Sequence, residues 1–316
     1  MSWEKIVRLI NENNSFLIGA HKNPEGDSLG SQLALFILLK DLGKKVAIYN
    51  ADKVPSNYRF LPFSCWVKTT SPRGNFDVGF VLDCSGSFRL GKIRELFMKK
   101  SSLIVNIDHH ISNDYFGDVN LVEPTASSAC ELIFMLYKKM KKDITPEAAL
   151  CLYSGIFTDT GSFSYNSTSS RVHRIISQLI QKGIKPASVY ENIYSSLSSQ
   201  EMLYVSKIIS SLKLSRRGKL CWVKTNLWRQ FNSDITEVVF YIMRFMRKVE
   251  VVIFFKRLAK QVVRVNFRSR GRIDVNKIAG HFGGGGHKTA AGLTLRVSLD
   301  KAEEQVISYI ENKFHI

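Results

Sequence analysis

Four short motifs in this sequence combine acids and histidines. The segment "IVNIDHHISND" ends an apolar run with Asp108, His109 and His110. The segments "HKNPEGDS", "VLDCSG" and "FTDTGSF" contribute His21, Glu25, Asp27, Asp83 and Asp159. Five carboxylates within bonding reach would repel one another, and divalent cations relieve such repulsion. Mixed histidine and carboxylate ligands favour Mn²⁺, with Mg²⁺ or Co²⁺ as alternatives, so these residue types predict a two-metal hydrolytic site.

Parallel strands are predicted to position these motifs. The apolar runs "SFLIGA", "KVAIYN", "FDVGFVLDC" and "LIVNID" alternate with helical patterns, as in a mostly parallel sheet covered on both faces. Three motifs stand where a predicted strand ends, and ligands of such sheets gather beyond the carboxyl ends of the strands. Asp159 follows a helix predicted to begin at Thr145-Pro146 and can join the same edge.

Each motif alone also has a structural interpretation. Adjacent histidines are common in loops, and the proline and glycine of "HKNPEGD" suit an ordinary turn. The functional interpretation depends on the combination, because all four motifs occur in order at the ends of predicted elements.

The fold class predicted from these patterns is α/β with two domains. A catalytic domain is expected over residues 1–188, a helical linker over 189–213 and a smaller α/β domain over 214–316. In the last of these, "GKLCWVKT", "EVVIFFKR" and "VVRVNFRS" are β-like. We expect the active site in the cleft between the two domains.

Composition limits the classes of protein that remain. The chain has 316 residues, of which 45% are hydrophobic, but it has no apolar run long enough to span a membrane. Its start does not resemble a signal peptide, so a cytoplasmic location and no membrane partner are expected. The five dispersed cysteines indicate reduced thiols rather than a disulfide framework or a zinc site.

Positive charge is concentrated towards the C-terminus. Residues 207–316 hold 22 Lys and Arg against 8 Asp and Glu, a surplus of 14 within a total net charge of +18. Such an imbalance suggests an anionic partner such as nucleic acid, a nucleotide or a membrane surface. A general bias towards basic residues would give the same count.

The motifs together resemble the DHH phosphoesterase superfamily. The resemblance rests on "HKNPEGDSLGS", "VLDCSGSFRLG", "NIDHHISN", "GIFTDTGSF" and "GGGGHKTAAG", in that order, and spans nearly the whole chain. The last motif is similar to the DHH-associated domain of the nuclease branch. The length favours the nanoRNase and pAp phosphatase group over the larger RecJ-type exonucleases.

This resemblance implies two metal sites that share Asp83. One ion would be held by His21, Glu25 and Asp83, and the other by Asp27, Asp83, His109 and Asp159. His110 would contact the scissile phosphate and help protonate the leaving oxygen, while Asp108 would orient a metal-bound imidazole. The family usually has aspartate in place of Glu25, so the geometry at the first ion is the main departure.

The resemblance also implies residues that hold the substrate. Arg89 and Asn113 are expected at phosphate or at the rim of the metal cluster. In the basic domain, Arg268 would grip a phosphate with two parallel bonds, and the glycines would leave N–H groups free for an anion. The expected set there is Arg268, Ser269, Gly284, Gly285, Gly286 and His287. An ordinary glycine loop is the alternative for the last four.

The predicted function is hydrolysis of short oligoribonucleotides to mononucleotides by metal-activated water, together with removal of the 3′-phosphate from pAp. Short RNA or nucleotides are the expected partners, and a homodimer is left open. Two alternatives remain: a phosphodiesterase acting on cyclic or linear dinucleotides, and a nucleotide or nucleic-acid binding protein whose metal site is impaired by Glu25.

Overall fold

The computed structural model describes residues 2–194, 197–226 and 235–314. The chain divides into two compact units, Met1–Ser195 and Ser196–Ile316. The boundary falls inside the predicted linker, residues 189–213. The helix Pro186–Tyr194 of the first unit overlaps its start, and the helix Ser199–Ser210 of the second unit lies inside it. The predicted domain limits otherwise stay predictions.

The first unit contains a six-stranded sheet in which every neighbouring pair is parallel. Its strands are β1 (Ser15–Ala20), β2 (Lys45–Tyr49), β3 (Val67–Lys68), β4 (Phe76–Leu82), β5 (Ser101–Asp108) and β6 (Val119–Val122). They are arranged in the order β3-β2-β1-β4-β5-β6. The predicted parallel α/β sheet is therefore confirmed, and the two short edge strands β3 and β6 are additions to it.

Helices cover both faces of this sheet. They are α1 (Ser2–Glu12), α2 (Gly26–Asp41), α3 (Arg94–Lys100), α4 (Ala129–Lys139), α5 (Pro146–Asp159), α6 (Ser170–Ile180) and α7 (Pro186–Tyr194). Within β1, Phe16 and Ile18 enter the large core with α2, α4 and α5, whereas Leu17 points to a smaller core with Phe97 of α3. Burial on both faces explains why the strands are apolar nearly throughout.

Small residues let α2, α4 and α5 approach closely beneath the acidic motifs. A methyl group at Gly30 of α2 would lie 2.4 Å from the backbone oxygen of Cys151 in α5. One at Gly155 of α5 would lie 2.2 Å from Cys130 Sγ in α4. This close packing fixes the start of α2, where Asp27 stands, relative to the end of α5, where Asp159 stands.

The second unit has a mixed six-stranded sheet. Its strands are β7 (Lys213–Leu214), β8 (Leu220–Thr225), β9 (Val251–Ala259), β10 (Val262–Ser269), β11 (Gly285–Gly286) and β12 (Ala290–Leu295), in the order β11-β12-β10-β9-β8-β7. Only the β8–β9 pair is parallel. The helices are α8 (Ser199–Ser210), α9 (Ile235–Met243), α10 (Val275–His281) and α11 (Leu299–Phe314). One face packs on α10 and α11, and the other on α8 and α9.

No helix among the described residues is long and apolar enough to cross a membrane. The cytoplasmic location expected from the sequence stays a prediction.

Replacing Gly30 with alanine is expected to destabilise the first unit by about 1–3 kcal/mol, because the methyl group would meet backbone that cannot move cheaply. Thermal unfolding followed by circular dichroism measures the effect. Gly280→Ala in α10 is the control, since nothing lies within 4 Å of its methyl position. That variant should be unchanged or gain about 0.5–1 kcal/mol. Equal stability of the two variants would contradict this interpretation of the α2–α5 contact.

Candidate metal centre

The predicted ligands meet at one edge of the parallel sheet. His21 directly follows β1, Asp83 directly follows β4, and Asp108 is the last residue of β5. These three strands are neighbours, so their carboxyl ends lie side by side. The sheet therefore delivers residues that are far apart in sequence to one place.

Asp83 lies at the centre of the cluster. Its backbone adopts a left-handed conformation, with φ of 51°, which is uncommon for a residue other than glycine. Its N–H donates to Ile107 O at 3.0 Å, which ties the turn after β4 to the neighbouring strand. Three imidazoles surround its buried carboxylate, at 3.2 Å for His21 Nε2, 3.5 Å for His109 Nε2 and 3.6 Å for His110 Nδ1.

A first donor group consists of His21, Glu25 and Asp83, whose ligand atoms all lie within 4.8 Å of one another. His21 Nδ1 lies 2.7 Å from Lys22 O. With Nδ1 protonated and donating to that carbonyl, Nε2 presents its lone pair towards the two acids. Glu25 Oε1 is 3.9 Å from His21 Nε2, so the longer side chain does reach the cluster.

A second donor group consists of Asp27, His109 and Asp159. His109 Nε2 lies 3.4 Å from Asp159 Oδ2 and 3.9 Å from Asp27 Oδ2. Asp27 is completely fixed, because its two oxygens accept the backbone N–H groups of Ala129 and Cys130 at 2.6 and 2.8 Å. These N–H groups form the first turn of α4, where the helix dipole also favours a negative charge.

Asp108 and His110 form a buried pair beside Asp83. His110 Nδ1 lies 2.6 Å from Asp108 Oδ1. The carboxylate therefore orients His110, the imidazole expected to face the phosphate, rather than His109, the expected metal ligand. With Nδ1–H donated to Asp108, the His110 ring is held in one orientation beside Asp83.

Asn113 binds the second oxygen of Asp108 and is itself held by Asn106. Asn113 Nδ2 donates to Asp108 Oδ2 at 2.7 Å and to Asn106 Oδ1 at 2.8 Å. Asn106 in turn donates to Val81 O and Cys84 O, both at 3.2 Å. Asn113 was expected at phosphate or at the rim, but its amide is buried and committed to holding the loop after β5.

Burial and mutual charge shift the pKa values of the cluster in opposite directions. Burial alone would lower the pKa of His109, yet Asp159, Asp83 and Asp27 raise it well above its usual range. Burial also opposes protonation of His21, but Asp83 raises its pKa to about 9.

The pKa values of the three carboxylates shift in different directions. Burial would raise the pKa of Asp83, but hydrogen bonds from His109 and His21 hold it well below its usual range. Burial and the charge of Asp83 raise the pKa of Asp27 to about 6. Asp159 is raised well above its usual pKa, chiefly by burial. Without metal, therefore, protons partly neutralise the cluster.

This donor set fits a pair of divalent cations. Imidazole nitrogens and carboxylate oxygens, without a thiolate among the donors, are ligands that Mn²⁺, Mg²⁺ and Co²⁺ accept. Asp83, Asp108, His109 and His110 form a third group that overlaps these two. Asp83 faces both of the first two groups with different oxygens: Oδ2 towards His21 and Oδ1 towards His109. A shared carboxylate between two cations is the arrangement that the resemblance implied.

Arg89 borders the cluster. It lies in the 3₁₀ segment Ser87–Ile93 after β4, is half-buried, and its carbonyl accepts the N–H of Lys22 at 2.8 Å. This bond joins the loop after β4 to the loop after β1. The position is compatible with the expected contact to phosphate, which stays a prediction.

In the second unit, Arg268 and Ser269 already have partners. The Arg268 guanidinium contacts the Glu237 carboxylate and lies 5.0 Å from the centre of the Phe240 ring. Ser269 Oγ donates to Ile273 O at 2.6 Å and accepts the N–H of Gly271 at 2.9 Å. An incoming phosphate would have to compete with Glu237 for Arg268.

The glycine run has a structural role that the sequence did not reveal. The N–H of Gly284 donates to Ala279 O at 2.8 Å, and that of His287 to Ala290 O at 2.6 Å. The expectation that the N–H groups of the glycines stay free is thus corrected for Gly284. Gly285 and Gly286 form β11, and a methyl group at Gly286 would lie 2.4 Å from Ala290 O. The glycines permit a tight hairpin between β11 and β12, and His287, which directly follows β11, is exposed.

The start of α4 is the part of the site that sequence reasoning missed. Ser128 caps the helix by accepting the N–H of Glu131 at 3.1 Å, and the two following N–H groups hold Asp27. The signal was present in "SSACE", where serine precedes glutamate by three positions.

Comparisons with known proteins agree with this geometry. The DHH family, N-terminal domain, matches residues 15–156, and the DHHA1 domain matches residues 227–314. The bifunctional oligoribonuclease and PAP phosphatase NrnA of Thermus thermophilus is 31% identical over 319 residues, covering 98% of this chain and 95% of the relative. The protein of the same name from Bacillus subtilis is 25% identical and covers 95% of each chain.

A solved structure supports the fold. The crystal structure of an exopolyphosphatase-related protein from Bacteroides fragilis superimposes with a TM-score of 0.92 at 24% identity, covering 100% of this chain and 98% of the other. The two proteins therefore share one fold. Family matches in both units, a relative at 31% identity over almost the full length and the clustered Asp-His-His motif lead to one conclusion. The chain belongs to the DHH family of phosphoesterases and is a hydrolase of the phosphodiesterase and phosphatase type.

Proposed function

We propose that this protein is a divalent-metal-dependent enzyme that hydrolyses short oligoribonucleotides to mononucleotides and removes the 3′-phosphate from pAp. The observation that carries the proposal is the pair of donor groups that meet at Asp83. The printed names of the Thermus and Bacillus relatives support the choice of substrate. We propose Mn²⁺ as the ion, with Mg²⁺ or Co²⁺ as alternatives, and the cytoplasm as the location.

A pair of ions held by these residues would bind the scissile phosphate, activate water and stabilise the leaving oxygen. The chain itself supplies orientation. Asp27 is locked by the N-terminus of α4 and His21 by a carbonyl, so neither side chain needs to reorganise when the site is loaded. Such rigidity is what precise placement of a phosphate requires.

His110 is proposed as the group that faces the substrate. Asp108 accepts the proton on Nδ1, so Nε2 can donate to a phosphate oxygen or to the departing hydroxyl. Asn113 keeps Asp108 in position and so acts on catalysis through two other residues.

The second unit is proposed to hold a further phosphate of the substrate. Arg268 would exchange part of its contact with Glu237 for phosphate, while its stacking on Phe240 keeps the guanidinium plane in place. His287, exposed at the end of β11, would add a donor. Ser269 and the glycines Gly284, Gly285 and Gly286 would shape this surface through the turn and hairpin that they form.

A substrate panel tests the proposal. Purified protein with Mn²⁺ is incubated separately with pAp, a 5′-phosphorylated dinucleotide, cyclic di-AMP, a 24-nucleotide RNA and pyrophosphate, and products are separated by ion-exchange chromatography. We expect AMP from pAp and mononucleotides from the dinucleotide, with no turnover after EDTA treatment. The same preparation, reloaded with Mn²⁺, should recover its activity.

Other outcomes of the panel favour the alternatives. Preferential turnover of cyclic di-AMP would make the protein a cyclic dinucleotide phosphodiesterase. Binding of nucleotides without turnover of any substrate, at any of the three metals, would indicate a binding protein in which Glu25 impairs the first metal. The reach of Glu25 Oε1 to 3.9 Å from His21 favours an intact site.

A further inference from the structure

Glu131 is a buried carboxylate in the first turn of α4, and the proposed mechanism assigns it no role. Its Oε2 accepts two bonds from Ser127, from the N–H at 2.8 Å and from the hydroxyl at 2.7 Å. Its Oε1 forms an ion pair with Nε of Arg171, the second residue of α6. Because a buried ion pair stabilises a fold little more than apolar residues of the same size, this pair calls for another explanation.

Arg171 also binds a second point on the same stretch of chain. Its Nη2 donates to Thr125 O at 3.2 Å, while its Nε contacts Glu131. The guanidinium therefore ties the connection between β6 and α4, residues 123–128, to the first turn of α4. The Arg171 side chain is 44% exposed, so this tie can be cut from the surface.

The connection 123–128 joins two parts of the metal centre. At its start, the N–H of Glu123 donates to Asp108 O at 2.9 Å, at the end of β5. Directly after it, the first two N–H groups of α4 bind the two oxygens of Asp27 at 2.6 and 2.8 Å. A shift of the connection would therefore move the groups that hold Asp27 relative to the end of β5.

Asp27 has little freedom to correct such a shift. Its side chain is buried, and both oxygens are bonded to the backbone of α4. A functional side chain has to stand within about 0.5 Å of its working position. Residues that orient metal ligands from outside typically change metal affinity by about 10- to 100-fold when they are substituted. The start of α4 thus determines whether Asp27 can serve as a ligand.

We propose that Glu131 and Arg171 are positioning residues of the metal centre: their ion pair fixes the connection 123–128 and so places Asp27 for the ion of the second donor group. Both residues lie outside the donor groups. The inference deepens the proposed function and rests on its two-metal centre, but not on the choice of substrate. An ion pair with a purely structural role would stabilise the fold and leave metal affinity unchanged.

Binding of Mn²⁺ to the metal-free protein tests the proposal without any turnover. Electron paramagnetic resonance measures free Mn²⁺ during a titration, and the low-temperature spectrum of the loaded protein shows whether two ions are spin-coupled. Wild type should bind two ions as a coupled pair. Arg171→Ala should weaken one ion about tenfold or more and leave the other within about threefold. At the Mn²⁺ concentration that just fills wild type, this variant should show the spectrum of a single ion.

Two further variants separate position from charge. Arg174→Ala removes the same charge from an exposed residue one turn further along α6, and it should bind both ions within about twofold of wild type. Arg171→Lys keeps a cation that can reach Glu131, so it should bring the weakened ion back to within about threefold of wild type.

Glu131→Gln tests the same contact from its buried side. The amide oxygen can still accept both bonds from Ser127, but the amide NH₂ group cannot pair with the guanidinium of Arg171. If the two residues act as one unit, the double variant Glu131→Gln/Arg171→Ala should bind Mn²⁺ within about twofold of Arg171→Ala alone. Thermal unfolding checks each variant, and the variants of the exposed Arg171 decide the question should Glu131→Gln fail to fold.

Arg171→Ala that melts at a lower temperature but binds both ions as tightly as wild type would overturn the proposal. Equal weakening by Arg171→Ala and Arg174→Ala would overturn it as well. A wild-type protein that binds fewer than two ions would overturn it together with the two-metal centre. A wild-type protein that binds two ions but hydrolyses no substrate would count against the proposed function alone.

Discussion

Asp83→Asn is expected to lower turnover of a dinucleotide by about a thousandfold or more, because the two ions would stabilise the transition state by several kcal/mol. Asp83 belongs to the first donor group through Oδ2 and faces His109 of the second through Oδ1. An amide keeps the shape of the side chain but offers a neutral oxygen on one side and an N–H donor on the other. Both ions should therefore be weakened by a single substitution.

Asp114→Asn is the matched control for this experiment. Asp114 is an exposed carboxylate on the loop after β5 and lies outside the donor groups. Its substitution should change turnover by less than about threefold, as expected for a surface position. Manganese content measured by mass spectrometry should fall below two ions per chain only in the Asp83 variant. Full activity of Asp83→Asn with two ions bound would contradict the shared-ligand arrangement.

Binding of Mn²⁺ should become about a hundredfold weaker when the pH falls from 7 to 6, because about two protons must leave the imidazoles for metal to bind. Without metal, the pKa of His21 is raised to about 9, and that of His109 well above its usual range. These shifts favour the protonated form of both rings, although metal requires their neutral form.

Calorimetry in two buffers of different ionisation enthalpy measures these protons. Wild type should release about two protons per chain at pH 7, and His21→Gln about one fewer. His173→Gln, at an exposed position on α6, is the control and should release as many as wild type. Binding that is independent of pH in this range would contradict the proposed roles of the two imidazoles.

Stability of the metal-free protein should follow from the same pKa shifts. The pKa of His21 is about 9 in the folded chain against an ordinary value of 6.5, so the folded state keeps its proton to higher pH. Its contribution, about 3 kcal/mol, is complete below pH 6.5 and is lost as the pH rises towards 9. The melting temperature without metal should therefore fall over this range, and excess Mn²⁺ should remove the trend by replacing the proton.

The sequence predicted best the positions of the site residues that stand at the ends of strands. His21, Asp83 and Asp108 follow apolar runs whose strand character is unambiguous, and parallel pairing then places them at one edge. Local patterns sufficed here because strands buried on both faces leave a continuous apolar signature. The Asp-His-His motif added the family resemblance.

Contacts between distant segments could not be predicted. Asp27 is held by backbone N–H groups about a hundred positions further along, and nothing in the local sequence pairs the start of α2 with the start of α4. The choice of His110 over His109 as the partner of Asp108 depends on side-chain orientation after the strand, which composition does not determine. The glycine run misled for a similar reason, since its N–H groups found partners in α10 and the β11–β12 hairpin.

The most direct test of the metal centre is an anomalous diffraction map from a crystal soaked in Mn²⁺. Two peaks are predicted, one among His21, Glu25 and Asp83 and one among Asp27, His109 and Asp159, with Asp83 in contact with both. A map without manganese at this sheet edge, or with a single ion that Asp83 does not touch, would contradict the two-metal account of this enzyme.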